Sequence, residues 1–91
     1  MASTQVFFAG NVQGVGFRYT VKQLAKGFDV TGWVRTLAEG RVELQASGEP
    51  AEVAAFIEAI RQSELRAHIK DQMELPLGDT PIARGFEIRH D

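Results

Sequence analysis

Between residues 41 and 63 the hydrophobic period of the chain changes from two to about 3.6. That change restricts the available folds more than any other feature of the sequence. "RVELQAS", residues 41–47, alternates strictly, with Val42, Leu44 and Ala46 on one side and Arg41, Glu43 and Gln45 on the other. This is the pattern of a strand with one inward and one outward face. "GEPAEVAAFIEAIRQS", residues 48–63, then sets Val53, Phe56, Ile57 and Ile60 on a single helical stripe. Pro50 suits the first helical position, Glu49 and Glu52 suit the positive end of the helix dipole, and Arg61 lies near the other end.

The same two periods occur elsewhere. "QVFFAGNV", residues 5–12, places Val6, Phe8, Gly10 and Val12 on one face and predicts a strand. "FRYTVKQLAK", residues 17–26, spaces Phe17, Val21, Leu24 and Ala25 as a helix, with Arg18, Lys22 and Lys26 on another face. Gly27 is expected to end that helix as a left-handed cap, with Phe28 folding back on the last turn. "DVTGWVRT", residues 29–36, predicts a second strand, joined to residues 41–47 as a hairpin through "LAEG", where Gly40 takes positive φ. After the second helix, "LRAHIKDQMEL" (65–75) predicts a strand, "PLGDTPI" (76–82) a loop and "GFEIRH" (85–90) a short final strand. The order β-α-β-β-α-β with a short extra C-terminal strand is that of a ferredoxin-like α+β sandwich: one antiparallel sheet with two helices on one face. No repeat or linker interrupts it, so residues 1–91 are expected to form one domain.

Composition narrows the chemistry. The chain has 91 residues, 44% of them hydrophobic, enough for one core without staples. With no cysteine there is no disulfide framework, thiol nucleophile or thiolate metal site. A net charge of −2 argues against generic nucleic-acid or anionic-membrane binding, which need a basic surface. "MASTQVFFAG" carries no basic leader and no long apolar run, so a cytoplasmic protein without a membrane partner is expected.

The one stretch with anion chemistry is "GNVQGVGFR", residues 10–18. It leads from a predicted strand into a predicted helix. A helix N-terminus presents backbone N–H groups without internal partners and about half a positive charge. Gly14 and Gly16 let those groups converge on one point, and Arg18 in the first turn adds a bidentate guanidinium. Two readings stand at this level: an anion cradle, or a tight turn with a solvated arginine. The spacing fits neither a Walker loop nor a dinucleotide fingerprint.

"GNVQGVGFR" resembles the signature of the acylphosphatases, small ferredoxin-like enzymes that hydrolyse the carboxyl–phosphate bond of acyl phosphates. "GWVRTLAEGRVELQASG", residues 32–48, is similar to the family's second signature, and "GFEIRH" to its terminal strand. The resemblance spans the whole chain. It implies that the backbone N–H groups of Gln13, Gly14, Val15, Gly16, Phe17 and Arg18 cradle a phosphate and that the Arg18 side chain pairs with its oxygens. It also implies no metal, no cofactor, no covalent intermediate, and a monomer acting on a small acyl phosphate or binding inorganic phosphate. An asparagine at the end of the second strand holds the attacking water in this family, and the substrate phosphate takes the water's proton.

At that asparagine position this chain has Thr36. A threonine hydroxyl offers one donor on a short, β-branched arm, where an asparagine amide offers an acceptor and two donors on a longer one. Three readings of Thr36 follow: a natural change that weakens turnover, a member that keeps anion binding without catalysis, or an engineered change. Phosphate binding is expected to survive better than turnover.

Other residues carry plainer expectations. Trp33 and Val34 read as hairpin and core, Lys22 and Lys26 as a solvated face with Lys22 one turn from Arg18, and Glu39 as turn chemistry. His68 and His90 lack metal-ligand spacing and read as surface or strand-edge residues. Tyr19 lies near the loop without an assigned role. Asn11 carries an amide but is not assigned the missing asparagine's task. An RNA-recognition module shares this strand order, but "RVELQAS" holds none of the aromatic residues that such modules stack on bases.

Overall fold

The computed structural model describes residues 2–12, 16–78 and 85–90. Its elements follow the order β1 (Ala2–Gly10), α1 (Phe17–Ala25), β2 (Val30–Thr36), β3 (Val42–Gly48), α2 (Pro50–Gln62), β4 (Ile69–Gly78) and β5 (Phe86–Arg89). A 3₁₀ turn over Glu64–His68 joins α2 to β4. The strands form one sheet in the order β4-β1-β3-β2-β5. β1 pairs antiparallel with β3 and β4, and β2 antiparallel with β3. β5 runs parallel to β2, from Gly32↔Phe86 to Arg35↔Arg89. The sheet is therefore mixed, where sequence predicted an antiparallel one. Strand direction supplies the reason: β4 finishes at the end of the sheet where β2 starts, so the next strand runs alongside β2 in the same sense.

One face of the sheet carries Val6, Phe8, Val34, Val42, Leu44 and Ala46, all fully buried. The stripes of α1 (Phe17, Val21, Ala25) and α2 (Val53, Phe56, Ile57, Ile60) close over them as one cluster. Phe56 sits against Phe28 (5.8 Å between ring centroids) and edge-on to Phe86 (5.5 Å), so α2 is locked both to the end of α1 and to β5. The α2 N-terminus is tied to the start of β2 as well, because Glu52 Oε1 accepts from the Asp29 N–H at 2.8 Å.

Neither described α-helix covers the opposite face, yet several of its residues are closed to water. Trp33 lies under two guanidiniums, with Arg35 5.2 Å and Arg89 4.7 Å from its ring centroid, and Arg41 covers Phe7 at 4.8 Å. Glu43, expected to point outward, does so but is 4% exposed. Its Oε1 accepts from Arg35 Nε at 2.9 Å, and its Oε2 from the side-chain amides of Gln5 and Gln45. Burial alone would raise this carboxyl's pKa, but the bonds from Gln5, Gln45 and Arg35 outweigh it and hold the group below the ordinary carboxylate value. Ser3 and Ser47 share a hydroxyl–hydroxyl bond of 3.0 Å farther along the same face.

Several boundaries differ from the sequence reading for identifiable reasons. β1 begins at Ala2 because the polar residues Ser3 and Thr4 pair with Ser47 and Ala46. Gly27 does not take the left-handed conformation expected of a cap. The last turn of α1 tightens instead, with Lys26, Gly27 and Phe28 donating to Gln23, Leu24 and Ala25, which satisfies the terminal carbonyls without positive φ. Residues 65–68, read as strand, belong to the 3₁₀ turn, where Ser63 Oγ accepts from the Leu65 N–H and Leu65 is buried. β4 continues through Pro76 because it is an edge strand, where a missing N–H is tolerated. The hairpin turn is as expected: Gly40 has φ 102° and donates to the Leu37 carbonyl at 2.9 Å.

Candidate anion-binding site

The topology brings four chain segments to one end of the sheet: the exit of β1, the start of α1, and the ends of β2 and β5. They surround a hollow of about 390 Å³ lined by Val12, Gly16, Phe17, Arg18, Tyr19, Thr36, Ile88 and His90. Val12, Phe17 and Ile88 supply apolar lining, while Arg18, Tyr19, Thr36 and His90 bring polar groups.

The start of α1 is shaped by Gly16. It is the N-cap residue, with φ 71° and ψ 23°, and its carbonyl accepts from the Thr20 N–H at 2.9 Å. A side chain there would meet open space, so the requirement for glycine is the left-handed backbone and not crowding. Gly16 has no side chain with which to cap the helix, and the first turn holds no acidic residue. Phe17 fixes the position of this end. It is 2% exposed and packs on Phe8 with ring centroids 5.2 Å apart. Arg18 therefore leaves a rigid first turn, half-buried, with Nη1 3.5 Å from His90 Nδ1. Among the described residues no carboxylate pairs with Arg18.

Thr36 is the last residue of β2. By strand alternation it shares the helix-facing side with Val34, and its partner in the ladder is Val42. Its position depends on the closeness of β2 to β3 four pairs earlier. Gly32 (φ 150°) faces Ala46, and a Cβ at Gly32 would land on the Gln45 carbonyl oxygen. The Gly32 N–H also donates to the Gly85 carbonyl at 2.9 Å, which starts the pairing that carries β5 to the site.

Of the residues expected to hold phosphate, Gly16, Phe17 and Arg18 line this hollow together with Thr36. Gln13, Gly14 and Val15 lie outside the described residues. Asn11 belongs to a different depression, with Glu39, Gly40 and Arg41, and its backbone N–H is bonded to the His68 carbonyl. Lys22 lines another, beside Ala25, Lys26, Val30 and Phe86. Glu39 performs turn chemistry, its carboxyl held below the ordinary value by the hydrogen bond from Arg41. Trp33 and Val34 are buried, as expected. Tyr19, 63% exposed, stands at the rim. His90 is exposed at the end of edge strand β5, as its surface or strand-edge reading expected, and it also lines the hollow. The parallel run of β5 beside β2 brings it there, a pairing that spacing along the sequence does not reveal.

The arrangement offers an uncapped helix start, a guanidinium and an imidazole over a small partly apolar floor. That set suits an anion carrying a compact organic group. Among the described residues no group of three His, Cys, Asp or Glu side chains comes together as a metal site. No described helix is long and apolar enough to cross a membrane.

Comparison with known proteins identifies the lineage. Residues 4–88 match the family model described as acylphosphatase. The chain is 41% identical over 91 residues to the acylphosphatase of Haloarcula marismortui, covering 98% of this chain and 99% of that one. It is 36% identical over 85 residues to that of Lacticaseibacillus paracasei, covering 92% and 91%. Among solved structures, the crystal structure of acylphosphatase from Bacillus subtilis superposes with a TM-score of 0.89 at 30% identity, covering 98% of this chain and 99% of that one.

Proposed function

The chain belongs to the acylphosphatase family, and we propose that it hydrolyses the carboxyl–phosphate bond of small acyl phosphates by direct attack of water at phosphorus. The observation that carries this reading is the convergence of Arg18 and Thr36, from different elements, on one hollow at the uncapped start of α1. In the proposed reaction the backbone N–H groups of Gln13, Gly14, Val15, Gly16, Phe17 and Arg18 hold the phosphoryl oxygens. The Arg18 guanidinium binds the same oxygens and stabilises their charge as it redistributes in the transition state. Water forms the new O–P bond, the bond from phosphorus to the acyl oxygen breaks, the carboxylate leaves, and the phosphoryl group receives the water's proton. No metal or cofactor takes part in these steps. The same reading has residues 1–91 working as one monomeric domain in the cytoplasm on small molecules, with neither nucleic acid nor membrane as partner.

Thr36 sets the rate in this proposal. Its hydroxyl reaches less far than an asparagine amide and offers fewer fixed contacts to the water. A nucleophile displaced by about 1 Å costs on the order of 100-fold. Thr36→Asn is therefore expected to raise kcat on benzoyl phosphate by about 100-fold with little change in KM, and Arg18→Ala to remove measurable turnover. No gain from Thr36→Asn together with an unchanged rate for Arg18→Ala would refute the site. The residue at position 36 also favours a second reading, in which the hollow binds phosphate and does not turn over. Phosphate-induced NMR shifts of the amides from Gly16 to Arg18, without detectable hydrolysis by the unsubstituted protein, would select that reading.

A further inference from the structure

We propose that His90 is a second anion-binding side chain of this hollow, and that it makes anion affinity depend on pH. The proposal rests on the reading of the hollow as an anion site. Arg35 and Arg89 are the last register pair of β2 and β5, so His90 emerges one residue later, beside the end of β2. Its Nδ1 lies 3.5 Å from Arg18 Nη1, and both side chains line the hollow with Thr36. Two nitrogen-bearing groups at that separation, both open to one cavity, form a pair of donors into which an oxyanion fits.

The charges of the described residues around the hollow leave His90 available for this task. From α1 the titratable groups at the hollow are Arg18 and the Tyr19 phenol, while Lys22 lines a different depression. From β2 the neighbour is uncharged Thr36, and Arg35 projects to the opposite face, where it is bonded to Glu43. On its own strand Glu87 is paired with Arg89, which covers Trp33 on that same far face. Among the described residues no carboxylate lines the hollow to neutralise the ring.

A neutral imidazole with its proton on Nε2 accepts from Arg18 at Nδ1. A protonated one cannot accept, and adds a positive charge beside Arg18. A dianion in the hollow attracts that second charge. Dianion binding and ring protonation therefore reinforce each other, and by linkage each strengthens the other equally. Histidine changes charge between about pH 5 and pH 8. The added affinity belongs to the protonated ring, so it is present at the acid end and lost as pH rises through the histidine's titration. One unit charge added about 4 Å from a dianion at a solvent-exposed site corresponds to roughly five- to tenfold in affinity at an ionic strength of about 0.15 M.

The test uses sulfate, which remains a dianion throughout this range while phosphate does not. Sulfate dissociation constants are measured by NMR titration at about pH 5.5 and about pH 8, for the unsubstituted protein and for His90→Gln. The expected result is binding about five- to tenfold tighter at the acid pH in the unsubstituted protein and a nearly flat profile in His90→Gln. An equal pH dependence in both proteins overturns the role of His90 and leaves the anion site standing. Absence of sulfate binding at either pH overturns the anion site and the role of His90 with it. His90→Lys supplies a charge at both pH values and is expected to bind sulfate tightly at both. If it binds no better than His90→Gln, the electrostatic argument fails.

Discussion

Glu43→Gln preserves the shape of a buried side chain and removes its charge, which makes it a sharp test of what closes the uncovered face of the sheet. Oε2 of Glu43 accepts from both Gln5 and Gln45, and Oε1 from Arg35. A glutamine must turn its NH₂ toward one of these sets. Its better choice keeps the carbonyl on Gln5 and Gln45 and points the NH₂ at Arg35, whose side chain is 31% exposed and can turn to water. One hydrogen bond is then lost, and two fall from charge-assisted to neutral strength. Bonds to charged groups contribute about 1.5–3 kcal/mol and neutral ones about 1 kcal/mol. The contribution of the partly exposed Arg35 is discounted for solvent screening. The expected loss at neutral pH is about 2 kcal/mol. For a domain of this size that corresponds to a fall in Tm of about 8–16 °C. The pH dependence has a definite sign. Because the folded state holds this carboxyl below its ordinary pKa, its stabilisation is present above the ordinary carboxylate range and is lost as pH falls through the folded-state value. Urea unfolding at about pH 7 and about pH 3 should therefore show a gap between the two proteins that closes on acidification. A variant within about 0.5 kcal/mol of the parent at neutral pH, or a gap that persists unchanged in acid, would refute the argument.

Two glycine substitutions probe the supports of the site. Gly32→Ala should prevent folding or cost more than about 4 kcal/mol by circular dichroism, because its Cβ would meet the backbone of Gln45 and force β2 from β3. Gly16→Ala should cost only about 1–2 kcal/mol in urea unfolding, since backbone conformation is strained there but space is open; a loss beyond about 3 kcal/mol would mean that the pocket start is crowded after all.

The parts of the fold legible in the sequence are those with a strong period. The α2 stripe of Val53, Phe56, Ile57 and Ile60 is buried residue for residue, and Val42, Leu44 and Ala46 face the core. Alternation assigns a residue to a face but does not say what covers that face. Glu43 shows the limit: its outward direction was readable, but its burial depends on Gln5, Arg35 and Gln45, brought together by register across three strands. Among the residues that line the hollow, Arg18 and Thr36 were picked out by motif resemblance and Phe17 by helical spacing. His90 was not, because its place follows from β5 lying parallel to β2 and one residue out of pair. Gly27 was misread because a helix end can satisfy its carbonyls in more than one way, and composition does not choose between a left-handed cap and a tightened turn.

The strand order has a consequence for the way this chain reaches its structure. β1 precedes the other described elements in the chain, yet it lies inside the sheet, with β3 on one side and β4 on the other. Phe7 and Phe8 find their ladder partners only after the middle and the last third of the chain exist, at Val42 and Glu43 on one side and at Gln72 and Met73 on the other. Contacts this distant in sequence make for slow folding compared with a helical bundle of equal size, because the loops must close before any contact across them can stabilise the chain. During synthesis the first strand waits with its aromatic pair uncovered, so the interval between ribosome exit and β4 docking is the period when the young chain is most open to association with others.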